Sequence, residues 1–174
     1  KGGITSPLGF KAAGIKAGIK KSGNRDLALI YSEVPASVAA MFTSNRVKAA
    51  PILLSMKNIK GGVARAIIAN AGNANACNGA KGMRAAEAVV EKTAQALRVR
   101  KEQILIASTG VIGQPFPTEK VLAGVKNIVP KLSSKGGGDA ADAILTTDTF
   151  RKEIAVEIKI GGKPVRIAGI AKGS

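Results

Sequence analysis

Short apolar runs separated by glycine, asparagine and proline recur along the chain, and their length is that of strands. Residues 27–32 (LALIYS), 37–43 (SVAAMFT), 63–70 (VARAIIAN) and 104–108 (ILIAS) each read as a strand. Residues 153–160 (EIAVEIKI) alternate, placing Ile154, Val156, Ile158 and Ile160 on one face. Gly161-Gly162 joins them to residues 164–171 as a two-residue hairpin. Helical spacing appears between these runs. Met83, Ala86, Val90, Thr93 and Leu97 form one stripe, with Arg84, Glu87, Glu91 and Lys92 facing outward. A second helix opens near Pro117, carries Val121, Leu122, Val125, Ile128 and Val129, and ends by Pro130. A third, shorter one starts at Asp139 and delivers Thr146-Thr147-Asp148-Thr149 at its C-terminal end. There is no internal repeat, and the run of three glycines at 136–138 is too short to separate domains. The expectation is one α/β domain over residues 1–174.

Composition changes this picture in two ways. Apolar residues make up 45% of the chain but aromatics only 3%, so the core must be built from Ala, Val, Ile and Leu in close layers. No run approaches the length of a transmembrane helix, and the N-terminal segment lacks a signal-peptide core. A single cysteine, Cys77, cannot form an internal disulfide and suits a reducing compartment, so the chain is expected to be cytoplasmic and without membrane contact. Lys and Arg total 27 against 11 Asp and Glu, a formal charge of +16. That balance suits a nucleic-acid partner. Four Phe and one Tyr, however, leave little on which bases could stack, and no zinc-finger spacing is present. Solvated lysine faces, or an acidic partner subunit, account for the surplus better.

The chemistry is constrained by what is missing. There is no histidine, which removes Ser-His-Asp and Cys-His machinery. One cysteine is too few for a usual zinc site, and Cys77, with no base at hand, reads as a small buried hydrophobe. Three segments remain. Residues 70–79 (NAGNANACNG) follow a strand and precede a helix, and their asparagine amides can serve either the loop itself or a ligand. Residues 108–113 (STGVIG) also follow a strand. There Thr109 offers a hydroxyl and Gly110 a backbone N–H, the donors an oxyanion site needs, although Ser-Thr-Gly is also an ordinary turn. Thr146 to Thr149 offer hydroxyls to a ligand or caps to the backbone. Lys172 follows an apolar strand beside Gly173, so its ammonium could enter a cleft or stay in solvent.

Taken together and in this order, MFTSNRVKAAP (41–51), NAGNANACNG, STGVIG, TTDTF (146–150) and IAGIAKGS (167–174) resemble the ornithine acetyltransferase, or glutamate N-acetyltransferase, family of arginine biosynthesis. The resemblance covers essentially the whole chain, in the region of that family's α chain. It implies a layered αββα-type sandwich with a self-cleaving N-terminal nucleophile, distinct from Rossmann folds. Members cleave themselves before a threonine that becomes the nucleophile of a β chain, and by that pattern Ser174 lies a few residues short of the cut. The resemblance further implies that Thr109 and Gly110 are oxyanion donors and that Thr146 and Lys172 bind substrate. The reaction implied moves an acetyl group from N-acetylornithine to glutamate, some members also accepting acetyl-CoA, in an α2β2 heterotetramer without metal or prosthetic group. A related self-cleaving aminopeptidase and a basic RNA-associated module are the alternatives.

Overall fold

The computed structural model describes residues 2–173; Lys1, and Ser174 from which the expected cleavage point is counted, lie outside the described residues. Strands β1 (Phe10–Ile15), β2 (Leu27–Ser37), β3 (Val63–Asn73) and β4 (Ile104–Val111) form one sheet in chain order. β1, β2 and β3 are antiparallel neighbours, whereas β3 and β4 run parallel. A parallel pair needs a crossover, and helix α2 (Gly79–Leu97) supplies it. Helices α1 (Ala50–Asn58), α3 (Thr118–Ile128) and α4 (Gly137–Ala143) complete the helical layers. A second sheet is the hairpin of β5 (Lys152–Ile160) and β6 (Lys163–Ala171). Its turn is Gly161-Gly162 with φ of +55° and +76°, left-handed values that only glycine adopts without strain.

Alternation along β1 to β4 sends two different sets of side chains to the two faces. On one face Ile15, Leu27, Leu29, Ile68, Ile104 and Ile106 meet Leu54 of α1, Val89 and Val90 of α2, and Val121, Val125 and Ile128 of α3. Burying each such side chain stabilises the fold by roughly 1.5–3 kcal/mol. On the other face Ala12 and Ala28 meet Ala140 and Ala143, small enough for α4 to lie close on the sheet. Helices on both faces of the four-stranded sheet, with the second sheet beside them, give the layered α/β architecture expected. Antiparallel pairing through β1, β2 and β3 separates it from a doubly wound Rossmann sheet.

The helix stripe of α2 is confirmed, with Ala86, Val90 and Thr93 buried and Met83 and Leu97 packed at the edge. The expectation of a strand over 37–43 is overturned. β2 ends at Ser37, and the following residues run as an exposed loop in which Met41 is 99% accessible. Apolar character there has no facing element to bury it. α4 begins at Gly137, two residues before the expected start at Asp139. Among the described residues no helix is long and apolar enough to cross a membrane.

Candidate active-site cleft

Parallel strands β3 and β4 end side by side, and their C-terminal ends form the floor of a cleft of about 920 Å³. Thr109 and Gly110 belong to this floor, opposite Ala71 and Gly72 in the register. The backbones touch there. A Cβ on Gly110 would lie 2.4 Å from the Gly72 carbonyl carbon and 2.6 Å from the Asn73 nitrogen, and φ of Gly110 is +133°. Only glycine fits, so this position is fixed by packing whatever else its N–H does.

One wall is the loop carrying Ile19, Lys20, Lys21 and Ser22. Its shape comes from Asp26, a fully buried carboxylate at the start of β2. The Ala17 and Ile19 N–H groups each donate to it at 2.6 Å, and the Lys20 N–H donates at 2.9 Å. Three amides satisfy the carboxylate and turn the loop toward β3. The Lys20 ammonium donates to the Arg25 carbonyl at 2.5 Å, and burial pushes its pKa below the ordinary lysine value. A second wall is Gln114, Pro115 and Pro117 ahead of α3. Thr146, Thr147 and Lys172 close the third side.

All four candidate residues therefore line one cavity: Thr109 and Gly110 on the floor, Thr146 and Lys172 on the rim. Thr146 and Lys172 are exposed side chains. Among the described residues neither Lys20 nor Lys172 forms an ion pair, and the lining contains no carboxylate. A cleft lined by lysine ammonium groups, hydroxyls and strand-end backbone, with no carboxylate among its lining, can hold an anionic ligand and stabilise a developing oxyanion.

The asparagine-rich segment does something else. Asn70 Nδ2 donates to the Asn73 carbonyl at 2.9 Å, while its Oδ1 accepts from the Ser108 hydroxyl at 2.6 Å. Asn73 Nδ2 donates to the Gln114 and Pro115 carbonyls at 3.3 and 3.1 Å, and its Oδ1 accepts from the Asn75 N–H at 2.8 Å. Asn75 and Asn78 tie this turn to α2 and to Gln114. The amides are spent on stitching β3, α2 and the 114–117 wall together. Cys77 departs from the expected buried hydrophobe: it is exposed, at a left-handed φ of +60°, and lines a different hollow beside Met83. With Asn70, Asn73 and Asn75 filling the interior of the turn, its side chain is left outside.

Two carboxylates that hold the cleft's walls escape sequence reasoning. Asp26 looks like an ordinary polar start to an apolar strand. Asp148 is hidden among threonines, yet its side chain is wholly excluded from solvent. Lys152, above all, then the Gly173 N–H and the Thr146 N–H hold its pKa well below the usual carboxylate range.

Comparison with known proteins gives the chain its relatives. The ArgJ family model matches residues 11–174. Arginine biosynthesis bifunctional protein ArgJ of Caldanaerobacter subterraneus subsp. tengcongensis is 52% identical over 173 residues, covering 99% of this chain and 43% of that protein. Its counterpart from Symbiobacterium thermophilum is 49% identical, covering 99% of this chain and 44% of that protein. The chain thus spans less than half the length of these relatives. The crystal structure of ArgJ from Bacillus halodurans superposes with a TM-score of 0.93 at 37% identity, covering 99% of this chain and 91% of that one. Ornithine acetyltransferase from Mycobacterium tuberculosis, solved with ornithine, gives 0.94 at 41% identity, covering 99% of this chain and 92% of that one. A match over all but ten residues, and near-complete superposition on two solved relatives, place this chain in the ArgJ family.

Proposed function

We propose that the chain supplies the oxyanion-binding and substrate-binding walls of an acetyltransferase that moves an acetyl group from N-acetylornithine to glutamate. The observation that carries this is the convergence of Thr109, Gly110, Thr146 and Lys172 on one cleft. The sequence has no histidine to activate a nucleophile, and Cys77 lies outside the cleft. In this reading the nucleophile is the N-terminal threonine of a β chain cleaved from the same precursor. Its α-amino group, with an intrinsic pKa of about 7.7–8.0, is its own base.

The threonine hydroxyl attacks the acetyl carbonyl, and the α-amino group takes its proton. The Thr109 hydroxyl and the Gly110 N–H donate to the oxyanion that forms. Collapse breaks the amide bond, the proton passes to the departing amine, and ornithine leaves an acetyl-threonine ester. The glutamate amine then attacks that ester and releases the threonine. Lys172 pairs with the α-carboxylate common to both amino acids, and Thr146 adds a hydroxyl contact. Acetyl-CoA would load the same ester. The 174 residues act as one domain, the α chain of a cytoplasmic α2β2 assembly.

The test is expression of the full-length gene, intact-mass analysis, and assay of acetyl transfer from labelled N-acetylornithine to glutamate. Two chains, the second starting with threonine, and labelled N-acetylglutamate are expected, while the 174-residue chain alone is inactive. Peptide hydrolysis without transfer, or turnover by the 174 residues alone, would overturn the reading.

A further inference from the structure

We infer that Asp148 is a positioning residue that fixes Lys172 relative to Thr146 through a two-sided grip, shared with Lys152, on the backbone of Gly173; this rests on the substrate-binding reading of Thr146 and Lys172. Asp148 does not line the cleft, so it acts through its neighbours. Its Oδ1 accepts from the Gly173 N–H at 2.8 Å and from Lys152 Nζ at 2.8 Å. Its Oδ2 accepts from the Thr146 N–H at 3.2 Å. Lys152 Nζ also donates to the Gly173 carbonyl at 3.0 Å, so the ion pair holds Gly173 by its backbone N–H and its C=O, on both sides of its Cα. The ammonium lies 4.6 Å from the Phe150 ring centroid, which holds it from a further side.

Geometry makes this arrangement consequential. β6 ends at Ala171, so Lys172 is the first residue past the ladder and has no strand partner to orient it. Thr146 stands on a turn after α4, with no strand partner either. One carboxylate, reached by backbone N–H groups from both segments, sets the spacing between the two rim residues. Lysine is long and flexible, and its useful reach into the cleft depends on where its own backbone is held. Loss of the grip leaves both side chains present but their separation undefined, which weakens binding before it affects chemistry.

The test uses the full-length gene product in acetyl transfer, with Asp148→Asn, Lys152→Met, Lys172→Met and the Asp148→Asn/Lys172→Met double variant. Asp148→Asn should raise KM for N-acetylornithine and glutamate by about tenfold, the order expected for a charge-assisted contact partly lost. Its kcat should stay within about threefold of wild type. Lys152→Met, which leaves the Thr146 bond intact, should raise KM in the same direction and reads the grip independently should Asp148→Asn not fold. The double variant should lose clearly less than the sum of the two single losses, because without the Lys172 ammonium Asp148 has only Thr146 left to position. Additive losses, or a fall in kcat at unchanged KM, would reduce Asp148 to general structural support and overturn the inference. Wild-type turnover with a raised KM in Lys172→Met but none in Asp148→Asn and Lys152→Met would sink the inference alone. Absence of transfer by the wild type would instead sink the proposed function.

Discussion

Thr109 and Gly110 are adjacent in β4, yet substitutions at the two positions answer different questions. A methyl group on Gly110 would enter the Gly72 backbone, so Gly110→Ala should damage folding and says nothing about an oxyanion. Thr109→Ala removes a half-buried hydroxyl at a position open to the cleft. If that hydroxyl stabilises the oxyanion, kcat should fall by about 10²–10³-fold with a much smaller change in KM. A processed Thr109→Ala enzyme with wild-type kcat would remove the residue from the mechanism. Lys172→Met keeps most of the stem and removes the charge. It should raise KM for both substrates by an amount matching roughly 1.5–3 kcal/mol, and unchanged binding by the processed variant would return Lys172 to the solvent. Asp148 adds a dependence on pH. Its folded pKa is depressed, so its stabilisation is fully present above the unfolded value, about 3.9, and is lost only as pH falls toward the folded one. A pH-titrated melt should therefore show the Asp148→Asn deficit undiminished down to about pH 5 and closing only in stronger acid.

At the scale of elements, the loop at the cleft wall depends on a residue remote from solvent. Asp26→Asn would turn one of the two accepting oxygens into an amide facing N–H donors, leaving Ile19 and Lys20 or Ala17 unsatisfied. A loss of about 1.5–3 kcal/mol in urea unfolding is expected, with the 17–20 amides losing protection from hydrogen exchange before the sheet does. Unchanged exchange in that loop would mean that the turn is held by its packing alone. Asp26 also shows why some of the fold was legible and some was not. β3, β4, β5, β6, α2 and α3 announce themselves because each repeats an apolar spacing over enough residues to match one period. β1 (FKAAGI) buries alanine and glycine, which carry little hydrophobic signal, and α1 (APILLSMKN) shows too brief an amphipathic pattern to be told from a strand. The 37–43 run failed in the opposite direction, since apolar residues predict a strand only when another strand is there to pair. The cleft residues Thr109, Gly110, Thr146 and Lys172 could be named from ordered motifs. Asp26 and Asp148 could not, because their roles lie in backbone N–H groups up to 25 residues away that no local pattern displays.

At the scale of the molecule, charge and exposed apolar surface pose the same question. Among the described residues seven of the carboxylates are paired with Lys or Arg and Asp26 is spent on backbone amides, so most of the Lys and Arg have no carboxylate partner within the chain. One face of the hairpin presents Ile154, Val156, Ile158, Ile160, Val165 and Ile167, all six exposed, with Ile154 at 66%. Cross-strand pairs on that face, Val156 with Ile167 and Ile158 with Val165, form a continuous apolar ladder. A protein that stays monomeric rarely leaves such a ladder open, whereas a subunit that meets an acidic, apolar-faced partner would. The proposed assembly therefore makes a joint prediction. The β chain should carry an excess of Asp and Glu, and the 174-residue chain expressed alone should aggregate or bind a hydrophobic dye. Placing Lys at both Val156 and Ile167 should make the isolated chain more soluble and, in the full-length product, prevent the two chains from co-eluting on size exclusion. A lysine-substituted enzyme that still assembles and transfers acetyl groups like the wild type, or a β chain as basic as this one, would show that charge and apolar face do not serve the assembly.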